Sequence, residues 1–152
     1  MTLNTPDSHQ ATRPVGYIRW VVIFPLLLLF LPACGRSPLA DEPRIDARAW
    51  LLENRNLSAL ASNRFETTAA ALRFVNRLYG AGAESVLVSG IRSEPWRLEA
   101  EGGPYASTLV VVLPQESQKR EELFRLSNRE AAREGLAVEQ DHGQRELVLW
   151  WD

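Results

Sequence analysis

Histidine, lysine and cysteine are scarce in this chain, and their scarcity narrows the chemistry that it can carry out. The 152 residues include one cysteine, Cys34, and after it only one histidine, His142, and one lysine, Lys119. A metal site with two histidines is therefore excluded beyond Cys34. Lys119 is followed by Arg120 in the charged first turns of a predicted helix, which favours a solvated lysine over one with a lowered pKa that forms Schiff bases.

Catalytic and cofactor motifs are also absent from the sequence. It contains no G-x-S-x-G motif and no G-x-G-x-x-G motif after a strand. His142 lies in the turn-like run Asp141-His142-Gly143-Gln144, where a solvated loop is expected. With Glu139 and Asp141 it could bind a metal ion, but polar residues beside a glycine more often form a simple turn. We therefore expect no catalytic residue, no metal site and no cofactor.

Charges of both signs are mixed along the chain. There are 17 basic and 19 acidic side chains, which give a formal net charge of −2, with no basic stripe and no acidic tail. Proteins that bind nucleic acids usually concentrate basic residues on one surface. The sequence therefore predicts no nucleic-acid partner and no electrostatic adhesion to anionic lipids.

The first 33 residues have the three parts of an export signal. A polar start contains Arg13 and Arg19, an apolar core runs from Val21 to Leu31, and Ala33 is a small residue at the expected cut. The run Leu31-Pro32-Ala33-Cys34 resembles the lipobox of bacterial lipoproteins. The resemblance implies that Cys34 carries a diacylglycerol, that the chain is cut before it, and that the new amino terminus can be acylated.

Lipidation would place the protein on a bacterial membrane without spanning it, because two or three acyl chains hold a protein almost permanently. Gly35, rather than Asp, follows the cysteine, which in lipoproteins implies the periplasmic side of the outer membrane if the host has two membranes. Lipidation of Cys34 would also leave the chain without a free thiol, which excludes disulfides and a cysteine nucleophile. The alternative is an uncleaved anchor, but a spanning helix needs roughly 20 apolar residues. Val21 to Ala33 supplies 13, with two prolines.

The chain beyond the signal divides into a polar, proline-containing tether at 34–44 and a single domain at 45–152. In the domain, Asp46 is a candidate N-cap for a short helix at 45–54, and Thr67 and Gly80 are candidate caps of a helix around 71–79. Apolar spacing predicts strands at 85–91, 108–113 and 147–151, and the segment 56–65 is an ambiguous strand. It also predicts a helix at 115–134 that ends at Gly135.

This order is βαββαβ if the ambiguous first strand is accepted. It resembles the ferredoxin-like arrangement, an α+β fold with two helices packed on one face of an antiparallel sheet. That fold hosts many unrelated activities, so the resemblance implies nothing specific about function.

Both faces of the predicted sheet are apolar, which is unusual when helices cover only one of them. In the last strand Leu147, Leu149 and Trp151 alternate with Val148 and Trp150. Either the Trp50-Leu51-Leu52 segment folds over the second face, or that face binds a partner or a second copy with Trp150 as its buried anchor.

The longest predicted loop, 93–106, contains both carboxylates and aromatic rings. Glu94, Glu99 and Glu101 could form an acid–base pair or a weak calcium site, although their spacing matches no known calcium loop. Trp96 and Tyr105 make this loop a candidate contact surface, unless the two rings fold over the sheet edge.

These observations favour a lipid-anchored, non-enzymatic module that binds another envelope protein or itself through aromatic residues such as Trp150 and Trp96. The competing hypothesis is a small envelope hydrolase that uses His142 or the carboxylates of the 93–106 loop. A pocket that joins His142 to Glu94, Glu99 or Glu101 would favour the second hypothesis.

Overall fold

The computed structural model describes residues 42–151, which form an α+β domain with one antiparallel sheet, as the sequence predicts. The lipobox, Cys34 and most of the predicted tether lie outside the described residues. In chain order the elements are β1 (Ile45–Asp46), α1 (Ala47–Glu53), α2 (Ser62–Phe65), α3 (Thr68–Gly80), β2 (Ser85–Ser89), α4 (Pro95–Glu101), β3 (Thr108–Val112), α5 (Ser117–Arg133) and β4 (Glu146–Trp150).

The four strands of the sheet are neighbours in the same order as along the chain, β1-β2-β3-β4, and every pair is antiparallel. The ferredoxin-like order is therefore not confirmed. The strand predicted at 56–65 is wrong, because there Leu60 makes only one isolated bridge, to Ala106. Ala61 then adopts a left-handed conformation with φ of 42°, and α2 follows at once. The first strand is instead the two-residue β1, at the edge of the sheet.

Local signals correctly marked the starts of α1 and α3. The Asp46 carboxylate accepts a hydrogen bond from the backbone N–H of Ala49 at 2.8 Å and caps α1. The Thr67 hydroxyl accepts one from the N–H of Ala70 at 3.2 Å and caps α3. Satisfying these otherwise unpaired donors contributes about 1 kcal/mol at each helix start.

The end of α3 differs from the prediction. Gly80 is still helical, and the left-handed turn falls two residues later, at Gly82, with φ of 101°. A side chain at Gly82 would also collide with Lys119, whose Cδ would lie 2.5 Å from the added Cβ. After α5, Gly135 has the left-handed conformation expected of the residue that ends a helix, with φ of 70°.

The core lies between one face of the sheet and helices α1, α3 and α5. Trp151, which is 1% exposed, packs edge-to-face against Phe65 and Phe74 at ring-centroid distances of 5.3 and 6.1 Å. Trp50 and Leu51 of α1 belong to the same core. The prediction that Trp50-Leu51-Leu52 covers the second face of the sheet is therefore wrong, because α1 packs on α3 and β2.

The predicted loop at 93–106 contains a helix, α4, with Pro95 in its first turn and Gly102 at its end in a left-handed conformation. None of its residues is buried. Across the described range 42–151, no helix is both long enough and apolar enough to cross a membrane.

Candidate contact surface

The face of the sheet opposite the helices, called here the outer face, has an apolar centre. Strand register and alternation place its side chains in three rows, Leu87-Val110-Val148, Ser89-Thr108-Trp150 and Ser85-Val112-Glu146. None of these residues belongs to the hydrophobic core. The prediction that both faces of β3 and β4 carry apolar residues is therefore confirmed.

Exposure increases across the outer face from its middle to the β4 edge. Val110 is fully buried, whereas Val148 is 43% and Trp150 is 47% exposed. Two depressions flank Trp150. One is a cleft of about 450 Å³ that Glu42, Pro43, Arg92 and Thr108 help to line, and the smaller one is lined by Leu136 and Val148 among others. Trp150 therefore stands between two open surfaces instead of filling a pocket of its own domain.

The described residues that precede β1 contact this same face. Arg44 donates two hydrogen bonds from Nη1 to the carboxylate of Glu146, both at 2.9 Å, and Ser89 Oγ donates one to Glu42 Oε2 at 3.2 Å. Since Ser89 and Glu146 belong to the outer face, residues 42–44 lie over part of it. They leave Val148 and Trp150 uncovered.

Trp96 and Tyr105 flank one guanidinium group, that of Arg97, which lies 4.5 Å from the Trp96 ring centroid and 5.2 Å from that of Tyr105. Arg97 also donates to Glu94 at 3.0 Å and to Glu101 at 2.7 Å. Hydrogen bonds from the backbone N–H of Glu94 itself, and then from Arg97, hold the pKa of the Glu94 carboxyl below its usual range. The two loop carboxylates thus hold Arg97 in place.

Trp96 and Trp150 belong to separate groups of side chains. Arg97, Glu101 and Tyr105 line a small pocket with Asn56, whereas Trp150 lines the cleft beside Glu42. Trp96 is 58% exposed, and Tyr105 is partly buried against Arg97. The predicted contact residues are therefore divided between two surfaces, and only Trp150 belongs to the outer face of the sheet.

His142 is not brought together with the carboxylates of the 93–106 loop. Its turn precedes Glu146, while α4 follows Ser89, and these two residues belong to rows at opposite ends of the sheet. A five-residue strand separates the rows by about 13 Å. The structure therefore shows no site that joins His142 to Glu94, Glu99 or Glu101, as the hydrolase hypothesis requires. Within residues 42–151, no group of three or more His, Cys, Asp or Glu side chains could hold a metal ion.

The turn at 141–144 forms as predicted, and it is fixed by Arg120, which no motif in the sequence marks as a buried residue. Arg120, although next to the exposed Lys119, is buried and donates to both carboxylate oxygens of Asp141 and to the carbonyl oxygen of Gln144. The Arg120 guanidinium, followed by the backbone N–H of Gly143, lowers the pKa of the Asp141 carboxyl to about 2. This ion pair fixes the loop between α5 and β4.

Comparisons with protein-family models, curated proteins and solved structures found no match to this chain.

Proposed function

We propose that this chain is a lipid-anchored protein of a bacterial envelope, attached through Cys34, whose domain acts as a non-enzymatic interaction module. Its contact surface is the outer face around Trp150. Its partner is another envelope protein or a second copy. In a host with two membranes the module would lie on the periplasmic side of the outer membrane.

The observation that carries the proposal is the contrast between two adjacent tryptophans. Trp151 is buried in the core, whereas Trp150 is about half exposed and stands beside the apolar central row of the outer face, Leu87-Val110-Val148. A large aromatic side chain that stays exposed contributes little to the free energy of folding. It can contribute strongly to the free energy of binding when a partner removes it from water. Tryptophan is among the residues that dominate binding energies in protein interfaces.

The anchoring part of the proposal is tested by the intact mass of the protein extracted from membranes with detergent. A mature chain that begins at Cys34 and carries two or three acyl chains would support the proposal. An unlipidated mass that retains residues 1–33 would overturn it.

The binding part is tested by crosslinking in intact cells, comparing the wild-type protein with Trp150→Ala and with Trp96→Ala as the matched control. Both tryptophans are about half exposed, but only Trp150 is on the outer face. We expect Trp150→Ala to lose the crosslinked species while Trp96→Ala retains it. If Trp150→Ala destabilises the fold by several kcal/mol, as is typical of a core residue, and leaves the crosslinks unchanged, the contact surface is wrongly assigned.

A further inference from the structure

One edge of β4 has no backbone hydrogen-bonding partner among residues 42–151. Trp151 donates its N–H to the carbonyl of Ser107 at 3.0 Å, and Arg145 accepts from the N–H of Leu113 at 2.9 Å. In an antiparallel ladder alternate residues bond to the same neighbour, so 145, 147, 149 and 151 face β3. Glu146, Val148 and Trp150 therefore direct their backbone N–H and C=O groups away from the sheet. Between residues 42 and 151, no loop or turn backbone group bonds to them.

This edge lacks the features that usually block strand pairing. Natural edge strands are protected by lysine, proline, bulges or short length. The sequence Glu146–Trp150 contains neither lysine nor proline, and its five residues pair with β3 in unbroken register. Its only charge, on Glu146, is matched by Arg44. The opposite edge, β1, has only two residues.

We infer that β4 pairs with β4 of a second copy, antiparallel, about a two-fold axis that passes beside Val148. This inference rests on the proposed function, because it names the second copy as the partner. In this register Val148 lies opposite Val148 of the other copy, and Glu146 lies opposite Trp150. The free groups then match, since residues 146, 148 and 150 of both copies direct their backbone groups toward each other.

The pairing joins the two four-stranded sheets into one continuous sheet and brings their outer faces side by side. Val148 and Trp150, the exposed apolar residues of this face, then lie at the centre of the joined surface. Leu136, which lines a depression with both of them, extends the apolar rim of each copy. Pairing would thus satisfy the free backbone groups and bring the Val148 side chains of the two copies into cross-strand contact.

An interface built on one five-residue edge is smaller than the roughly 1,200 Å² that specific, stable complexes usually bury. We therefore expect a weak dimer in dilute solution. Anchoring both copies in one membrane raises their effective concentration, which favours association without any new contact.

The test uses the full lipidated chain in phospholipid vesicles, with Val148→Cys and a short bismaleimide crosslinker. Val138→Cys is the matched control, because Val138 is an exposed valine, 63% accessible, outside the strand. We expect the crosslinked dimer of Val148→Cys to exceed that of Val138→Cys at least fivefold. A second variant, Val148→Lys, adds a charge at the same edge. It should abolish the dimer that chemical crosslinking detects in the wild-type protein, with an unchanged thermal unfolding midpoint.

Equal crosslinking of the two cysteine variants, or a Val148→Lys variant that still dimerises, would overturn the paired-edge inference. If Cys34 is not lipidated, the crosslinking experiment gives a result that differs from both of these outcomes. A free Cys34 would itself react with the bismaleimide in the wild-type protein, and the comparison would then be made in a Cys34→Ser background.

Discussion

Arg44, just before β1, is joined across the outer face to Glu146 at the start of β4, so that one ion pair connects the two edges of the sheet. Both carboxylate oxygens of Glu146 accept hydrogen bonds from Arg44 Nη1. Side chains at opposite edges of a four-stranded sheet rarely meet directly. Here the contact holds residues 42–44 against the face that also presents Trp150.

Because this ion pair is partly exposed, with side chains 25% and 34% accessible, we expect its coupling free energy to be about 0.5–1 kcal/mol. A double-mutant cycle with Arg44→Ala and Glu146→Ala, followed by urea unfolding, measures this quantity. Hydrogen exchange should also show faster exchange at residue 44 and at β1 in either single variant. Strictly additive effects of the two substitutions would show that the contact contributes nothing.

Stability should depend on the ionisation of Asp141. The folded-state pKa of its carboxyl is lowered from 3.8 to about 2. The contribution of the ionised carboxylate to the free energy of unfolding is therefore fully present above pH 3.8 and is lost as the pH falls through about 2. We expect the difference in unfolding free energy between the wild-type protein and Asp141→Asn to be constant near neutral pH and to shrink across that window. Urea titrations at pH 6, 4 and about 2 measure it. A difference that does not change with pH would exclude this linkage.

Trp150 and Trp151 should respond very differently to the same substitution. Trp151→Ala removes a buried ring from contact with Phe65 and Phe74, and we expect a loss of about 3–5 kcal/mol in unfolding free energy. Trp150→Ala, at an exposed position, should cost about 1 kcal/mol or less. Urea unfolding of both variants gives the comparison. A similar large loss for both would mean that Trp150 is a structural residue.

The close packing of the α4–β3 connection against the end of α1 should make Gly103 sensitive to a single added carbon. A Cβ at Gly103 would lie 2.4 Å from Asn54 Oδ1 and 2.9 Å from the backbone nitrogen of Asn56. We expect Gly103→Ala to destabilise the domain by about 1–3 kcal/mol. Gly80→Ala is the matched control, because nothing lies within 4 Å of its added Cβ and the position is helical.

That control should stabilise the protein by about 0.5–1 kcal/mol, since alanine favours the helix more than glycine does. Thermal unfolding of the two variants, compared with the wild-type protein, measures both effects. If Gly103→Ala leaves stability unchanged or raises it, the collision at Gly103 is relieved by movement of Asn54.

The elements that could be predicted from the sequence are those with strong local signals. Helices α3 and α5 and strands β2, β3 and β4 have clear apolar periodicity, and Asp46 and Thr67 cap the helices that they were expected to cap. Helix α4 could not be predicted from apolar periodicity, because its large apolar side chains, Trp96 and Leu98, are both exposed. Its only signals are Pro95 at its start and Gly102 at its end.

The residues of the candidate contact surface could be predicted in part. Alternation along the last strand correctly separated Trp150 from Trp151, because it depends only on the two-residue period of a strand. What covers each face depends on contacts between distant parts of the chain. The Arg44–Glu146 pair and the packing of α1 on α3 belong to this class, and neither has a signature in the local sequence.

The consecutive order of the strands has a consequence for how the domain folds. Residues 90–107 join β2 to β3, whereas the longer segments 113–145 and 47–84 join β3 to β4 and β1 to β2. Pairing of β2 with β3 therefore has the lowest cost in loop-closure entropy. At the edge of the sheet, β1 contributes only two residues. Protection of residues 45–46 against hydrogen exchange should therefore be weaker than that of β2 and β3.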